Sequence, residues 1–116
     1  MDEGRFEGRR VLPASWIRQM TVPAGANPNY GYQIWRGSPH QPQHRYNSAN
    51  PAFVPAAEPF AADDVVDFDG AGAHRIYIIS SRKMVILRMG KADDAWDDSK
   101  LPNLVVRAYA GHCGAR

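Results

Sequence analysis

The chain has 116 residues and a mass of 12.9 kDa, near the common size of one domain, so we expect a single hydrophobic core. Its formal net charge is only +2, and the basic residues are scattered among acidic ones. This pattern excludes a strongly basic nucleic-acid-binding surface and a polybasic membrane patch. No run approaches the roughly 20 apolar residues of a membrane span.

The chain ends predict little about the compartment. Met1 to Arg5 lack the apolar core of a signal peptide. The single cysteine, Cys113, cannot form an internal disulfide, and secreted proteins need not contain one. Periplasmic, secreted and cytoplasmic locations therefore all stay open.

The first predicted helix covers Leu12 to Met20. Pro13 suits a first helical turn because its missing N–H needs no partner there. Trp16 and Met20 then lie on one face at a spacing of i, i+4. Pro23 and Gly25 end the helix.

One strand is predicted over Tyr30–Trp35, where aromatic and apolar residues roughly alternate. The following segment, about 36–64, is rich in proline and is predicted to be a loop insertion with short extended pieces. Its prolines are Pro39, Pro42, Pro51, Pro55 and Pro59.

Three strands are predicted in the last third of the chain, at 65–68, 75–79 and 84–89, with a polar turn at Ser80–Lys83. Neighbouring side chains along these strands are apolar on both sides. An antiparallel sheet with one wet face would alternate polar and apolar residues, so we expect cover on both faces.

A second helix is predicted over Leu101–Tyr109, with Asp97, Asp98 and Ser99 as capping residues. Its apolar stripe is Leu101, Leu104, Val105 and Ala108. Two short helices can cover only one face of the sheet. A second copy of the chain, a partner, or further polypeptide must cover the other face, so self-association through the uncovered face is one expectation.

Four stretches in order resemble the C-terminal portion of the β-lactamase-related serine hydrolases, in the serine β-lactamase, penicillin-binding-protein and carboxylesterase superfamily. They are Gly8–Ile17, Tyr30–Trp35, Gly70–Ile78 and Val85–Gly90. The resemblance spans residues 4–109, with the proline-rich segment as a variable insertion. It implies that residues 1–116 form a C-terminal fragment of such a domain. The implied fold class is α+β, with antiparallel strands and short flanking helices as an incomplete part of the serine β-lactamase-like fold.

The same resemblance implies an active-site role for the entrance to the second strand of the hairpin. Ala71-Gly72-Ala73 aligns with the third motif of the family, and the backbone N–H of His74 aligns with an oxyanion-hole donor. Gly70, Ala71, Gly72, Ala73 and His74 are therefore the candidate oxyanion-side residues. Small residues suit this role, because substrate must approach the backbone closely. Ala71 lacks the cation or proton donor of many relatives, which favours an ester or amide substrate over a penicillin-type carboxylate.

The nucleophile of that family is not predicted in this chain. Ser80 to Lys83 matches Ser-x-x-Lys in letters but lies in a hairpin turn, where nothing aligns the hydroxyl with the amine as a helix would. We therefore expect a part of a serine hydrolase that is inactive alone. The alternative is a stand-alone, non-catalytic interaction module that uses an exposed sheet face.

No cofactor and no metal are predicted. His40 and His44 are four residues apart with Asp63 and Asp64 downstream, but they lie in a proline-rich loop and are expected to be solvated. A cluster of aspartates lies at positions 93, 94, 97 and 98; it lacks calcium-loop spacing and is expected to cap the last helix and pair with Lys91 or Lys100.

Overall fold

A computed structural model describes residues 3–45, 49 and 52–113. It is an α+β structure with antiparallel sheets and two helices. In chain order the elements are β1 (Arg5–Phe6), β2 (Arg9–Arg10), α1 (Ala14–Met20), β3 (Tyr30–Gly31), β4 (Ile34–Arg36), β5 (Gln43–Arg45), β6 (Phe53–Pro55), β7 (Val65–Gly70), β8 (His74–Ile79), β9 (Met84–Arg88) and α2 (Lys100–Cys113).

The main sheet has five strands in the order β3-β4-β7-β8-β9, and every neighbouring pair is antiparallel. The longest pairing joins β7 to β8, from Val65 opposite Ile79 to Gly70 opposite His74. Two small hairpins, β1–β2 and β5–β6, lie outside this sheet. The proline-rich segment therefore contains the short extended pieces that the sequence predicts, paired with each other.

The strand predicted over residues 30–35 is instead a tight hairpin. Tyr32 and Gln33 both have positive φ angles, 43° and 65°, and they turn the chain between β3 and β4. A two-residue turn with positive φ at both positions matches the twist of a hairpin. The prediction failed because Tyr and Gln are not the residues that usually mark such a turn. Trp16 of α1, which contributes no buried residue, contacts Tyr32 edge-on at 5.7 Å between ring centroids.

One face of the sheet carries the core. Cross-strand partners share a face, so Val65, Tyr77, Ile79 and Ile86 lie together, and Val106 of α2 packs against them. Partly buried apolar residues complete this cluster: Phe60, Ala62, Met84, Leu101 and Val105. We call this side of the sheet the covered face.

The buried side of α2 is rotated from the predicted stripe. Leu101 and Val105 pack on the core as predicted, but Leu104 and Ala108 are exposed, and Asn103 is buried. Asn103 points inward because its amide bonds the backbone of the preceding segment: it accepts from the Ala61 N–H at 2.6 Å and donates to the Pro59 carbonyl at 2.8 Å. A polar residue is thus part of the buried side, a feature that apolar periodicity does not reveal.

Segment 57–61 crosses beside the start of α2 and is held there mainly by side chains. Asp97 accepts from the Ala57 N–H at 3.3 Å, and the Ser99 hydroxyl accepts from the Glu58 N–H at 3.3 Å. Immediately before this segment, the Asp98 N–H donates to the Pro55 carbonyl at 2.9 Å. The beginning of α2 is therefore tied to both this segment and β6.

The opposite face of the sheet has no cover among the described residues. We call it the bare face, and it consists of Val66, Phe68, Ile76, Ile78, Val85 and Leu87. Val85 and Leu87 are the most open of these, at 59% and 61% exposure. Large exposed apolar patches are typical of interaction sites. Helix α2 packs only against the covered face, in line with the expectation that two short helices cannot cover both faces of the sheet.

Candidate functional site

A tight turn, Ala71–Ala73, joins β7 to β8 and presents the predicted oxyanion-side residues. Gly72 and Ala73 both have left-handed backbone angles, with φ of 73° and 62°. Glycine suits position 72, because a residue without a Cβ adopts this positive φ at no steric cost. Ala73 adopts the same region at a steric cost of roughly 1 kcal/mol.

Arg88 of β9 binds the backbone carbonyls of this turn. Its guanidinium donates to the carbonyls of Gly72 at 3.0 Å and Ala73 at 2.9 Å, and to that of Lys91 at 2.9 Å. The same guanidinium stacks over Trp96, 4.6 Å from the ring centroid. The turn is thus held in one conformation by a side chain that also organises the loop before α2.

The turn borders a cleft of about 1080 Å³. All four residues of Gly70–Ala73 line it, together with Phe53–Pro55 of the β5–β6 hairpin on another side. Its aromatic walls are Tyr30, Trp35, Phe53, Phe68 and Trp96, and its polar lining includes Gln33, Asp69, Arg75, Asp93 and Asp94. The volume of the cleft lies at the upper end of the range usual for small-molecule sites, roughly 300–1,000 Å³.

His74 is the one predicted site residue outside the lining. It begins β8 opposite Gly70, and its ring Nε2 lies 3.0 Å from the Gly90 carbonyl, away from the cleft. The structure therefore brings Gly70, Ala71, Gly72 and Ala73 together at the cleft, while the His74 side chain bonds elsewhere. The role predicted for His74 concerns its backbone N–H and stays a prediction.

A buried ionic cluster lies beside the cleft on the covered face. Arg75 bonds the carboxylates of Asp69 and Asp98, the latter at 2.8 Å, and all three side chains are at most 8% exposed. The Tyr77 hydroxyl donates to Asp98 at 3.2 Å and accepts from the Trp96 indole N–H at 3.1 Å. Charges so deeply buried require such partners.

Asp67 lies beside this cluster and is 2% exposed, and its Oδ2 has no hydrogen-bond partner among the described residues. Burial, reinforced by the negative charge of Asp98, raises the pKa of Asp67 to about 8, although Arg75 acts in the opposite direction. Burial therefore favours the protonated form of Asp67. Burial also raises the pKa of Asp98 and, together with Asp98, that of Tyr77.

Sequence reasoning missed this cluster and assigned Asp98 to helix capping. The available signal was Arg75, a charged residue in an otherwise apolar strand, with Asp67 and Asp69 in the strand before it. The alternation places Arg75 and Asp69 on the same face, because they are cross-strand partners. Of the predicted capping residues, Asp97 accepts from the N–H and the hydroxyl of Ser99, at 2.9 and 2.6 Å.

The Ser80–Lys83 turn lies at the far end of β8 from the cleft. It forms a short 3-10 turn, Ser80–Arg82, followed by Lys83 with a φ of 51°. The six residues of β8 separate the two turns by about 20 Å at the usual rise of a strand. Ser81 is bound by Asp64 through both its N–H and its hydroxyl, each at 2.6 Å. The cleft therefore cannot use this serine–lysine pair.

The described part of the chain contains neither a metal-binding cluster nor a membrane-spanning helix. No group of three His, Cys, Asp or Glu side chains there could hold a metal ion. The His40 Nε2 lies 3.0 Å from the Ala56 carbonyl, Asp64 binds Ser81, and the side chain of His44 lies outside the described residues. Neither described helix has the length and apolarity that crossing a bilayer requires.

Comparison of the chain with protein-family models, curated proteins and solved structures finds no match. The resemblance to β-lactamase-related hydrolases therefore stays a prediction from the sequence.

Proposed function

We propose that this chain forms the oxyanion-side wall of a serine-hydrolase-type site, and that polypeptide outside these 116 residues supplies the nucleophile and its base. The complete site would transfer the acyl group of an ester, amide or β-lactam to serine and then to water. In this arrangement the chain is inactive alone and represents an incomplete part of a β-lactamase-like domain.

One observation carries the proposal: an uncovered apolar face runs up to a cleft whose described lining contains no serine. Among the described lining residues there is no Ser, Thr, Cys, Lys or His. Phe68 belongs both to the bare face and to the cleft lining. Polypeptide that covers the bare face would therefore also border the cleft, where it could contribute the missing groups.

The chemistry expected of the turn follows from its small residues. Attack by a serine oxygen on a carbonyl makes a tetrahedral oxyanion, which backbone N–H donors stabilise when they are fixed in advance. Gly70–Ala73 lets a substrate approach the backbone, and Arg88 holds two of its carbonyls in place. Ala71 offers no charge to a substrate carboxylate.

Activity measurements on the chain provide a direct test. We expect no serine-dependent turnover of nitrocefin or p-nitrophenyl butyrate, because Ser80 is remote from the cleft. Amide NMR shifts should still change at Gly70–Ala73 when p-nitrophenyl butyrate is added. Turnover that Ser80→Ala abolishes would contradict the proposal, and so would ester-induced shifts confined to other parts of the chain.

The coding sequence upstream of Met1 tests the origin of the missing groups. An in-frame continuation with a Ser-x-x-Lys at a helix start and a later Tyr motif would support the proposal. A stop codon followed by unrelated sequence would count against an intact hydrolase.

A second candidate function is a stand-alone interaction module, and the bare face favours it. The two proposals differ in what the isolated chain should do. Light scattering measures whether the chain is a monomer, and denaturation measures whether it unfolds cooperatively. A stable monomer with cooperative unfolding would argue against an incomplete domain. The bare face would then be a docking surface for a partner.

A further inference from the structure

The cleft walls combine aromatic rings with carboxylates. Tyr30 and Trp35 lie with their ring centroids 4.6 Å apart and their planes tilted by 52°. Trp35 is only 5% exposed, so the rings open to a ligand are those of half-buried Tyr30 and of the exposed Phe53 and Phe68. Trp96 stands elsewhere in the lining and already holds the Arg88 guanidinium over its ring at 4.6 Å. Aromatic faces arranged around a cleft attract organic cations through their ring electrons.

The charges around the cleft favour the same ligand class. Asp69 and Arg75 both line the cleft but are paired with each other, so the lining charges left for a ligand are the carboxylates of Asp93 and Asp94. Arg75 is buried and already bonds Asp69 and Asp98. Asp93 and Asp94 are exposed at the rim, so their charges remain available to a ligand.

We propose that the cleft binds an organic cation, namely a protonated or quaternary amine attached to an apolar body. The apolar body lies against the aromatic walls, and the ammonium group lies near Asp93 and Asp94. A carboxylate or phosphate ligand is disfavoured, since the one lining cation is already paired. This inference rests on the proposed function in one respect: the cation would be part of the acyl substrate that reaches Gly70–Ala73.

A matched set of three probes tests the charge preference: 4-phenylbutylamine, 4-phenylbutan-1-ol and 4-phenylbutyrate. They share one apolar body and differ in the charge of the end group. We expect the amine to bind about tenfold more tightly than the alcohol, and the carboxylate most weakly, in NMR titrations of the 116-residue chain at pH 7. Shifts should be concentrated at residues 69–73 and 93–96. Equal affinity for the three probes, or shifts outside the cleft, would overturn the inference.

Two substitutions locate the cation. Asp94→Asn and Asp93→Asn should each weaken amine binding about fivefold and leave alcohol binding unchanged, because each removes one nearby charge. The Asp93 side chain accepts from the Ala95 N–H at 3.0 Å, and asparagine can keep that bond. Asp63→Asn is the control, since Asp63 is exposed and lies outside the cleft. Equal weakening by Asp63→Asn would show a nonspecific charge effect and contradict the site.

The outcome is separable from that of the proposed function. Ester-induced shifts at Gly70–Ala73 without any preference for the amine would overturn the cation inference alone. Amine selectivity together with ester-induced shifts confined to other regions would support the cation site and count against the acyl-transfer wall.

Discussion

The two faces of β8 show the opposite of what hydropathy alone predicts, because a charged residue is buried on one face and an apolar residue is exposed on the other. Arg75 lies on the covered face and is 2% exposed, whereas its neighbour Ile76 lies on the bare face and is 40% exposed. The charged residue is buried because Asp69 and Asp98 bind it. The isoleucine is exposed because no described element packs against it. Burial in this sheet therefore depends on what covers each face, more than on the polarity of the residue.

The largest expected effect comes from removing the cation of the buried cluster. Arg75→Met should lower the free energy of unfolding by about 3–5 kcal/mol, because it leaves the Asp69 and Asp98 carboxylates buried without their partner. Arg107→Met is the matched control. It breaks the Arg107–Glu58 pair, whose side chains are 60% and 40% exposed, and should cost at most about 1 kcal/mol. Urea denaturation of both variants measures the difference, and equal losses would contradict the role given to burial.

The second largest effect on stability is expected from truncating an apolar residue on the covered face, compared with one on the bare face. Ile79→Ala should cost about 2–5 kcal/mol, because Ile79 is fully buried in the core. Leu87→Ala removes side-chain atoms from the bare face, where Leu87 is largely exposed, and should cost under about 0.5 kcal/mol. Thermal unfolding of the two variants at one protein concentration compares them. A large loss for Leu87→Ala would mean that the bare face is covered in solution.

The pH dependence of stability isolates Asp67 on the covered face. Its pKa is about 8 in the folded chain against an ordinary 3.8, so the folded state binds more protons between these values. Stability should therefore fall as pH rises from about 4 to about 8, with a slope of at most about 1.4 kcal/mol per pH unit. The charges that act on Asp67 are those of Asp69, Arg75 and Asp98.

Comparison with Asp67→Asn separates this residue from the other titrating groups. The variant has no proton to lose at this position, so its stability should decline less steeply over the same pH range. Urea midpoints measured at pH 5, 6, 7 and 8 provide the slopes. Parallel profiles for the two proteins would show that Asp67 titrates normally.

Sequence reasoning predicted the parts of the fold that depend on local patterns. The hairpin of β8 and β9, its turn at Ser80–Lys83, and the two helices are all present, since β-branched runs, turn residues and helical spacing are short-range signals. The placement of Gly70–Ala73 beside a cleft depends on residues far away in the chain, such as Tyr30 and Phe53. The sequence therefore suggested the turn as a site without indicating its walls.

Long-range pairing of polar side chains was the main feature that could not be predicted. Asp98 lies 23 residues from Arg75, and Asn103 lies 42 residues from Ala61. No local pattern distinguishes these residues from solvated or capping ones. The β3–β4 turn at Tyr32 and Gln33 was missed for a different reason, because neither residue favours positive φ.

The start of α2 has a further consequence for local opening. Three consecutive residues connect it to different parts of the molecule: Asp97 to Ala57, Asp98 to Arg75 and to the Pro55 carbonyl, and Ser99 to Glu58. Pro55 belongs to the β6 wall of the cleft. Displacing residues 97–99, which directly precede α2, would therefore release a cleft wall, segment 57–61 and the partner of a buried guanidinium in one event. We expect these distant regions to open together, so their amides should exchange hydrogen with a common opening free energy.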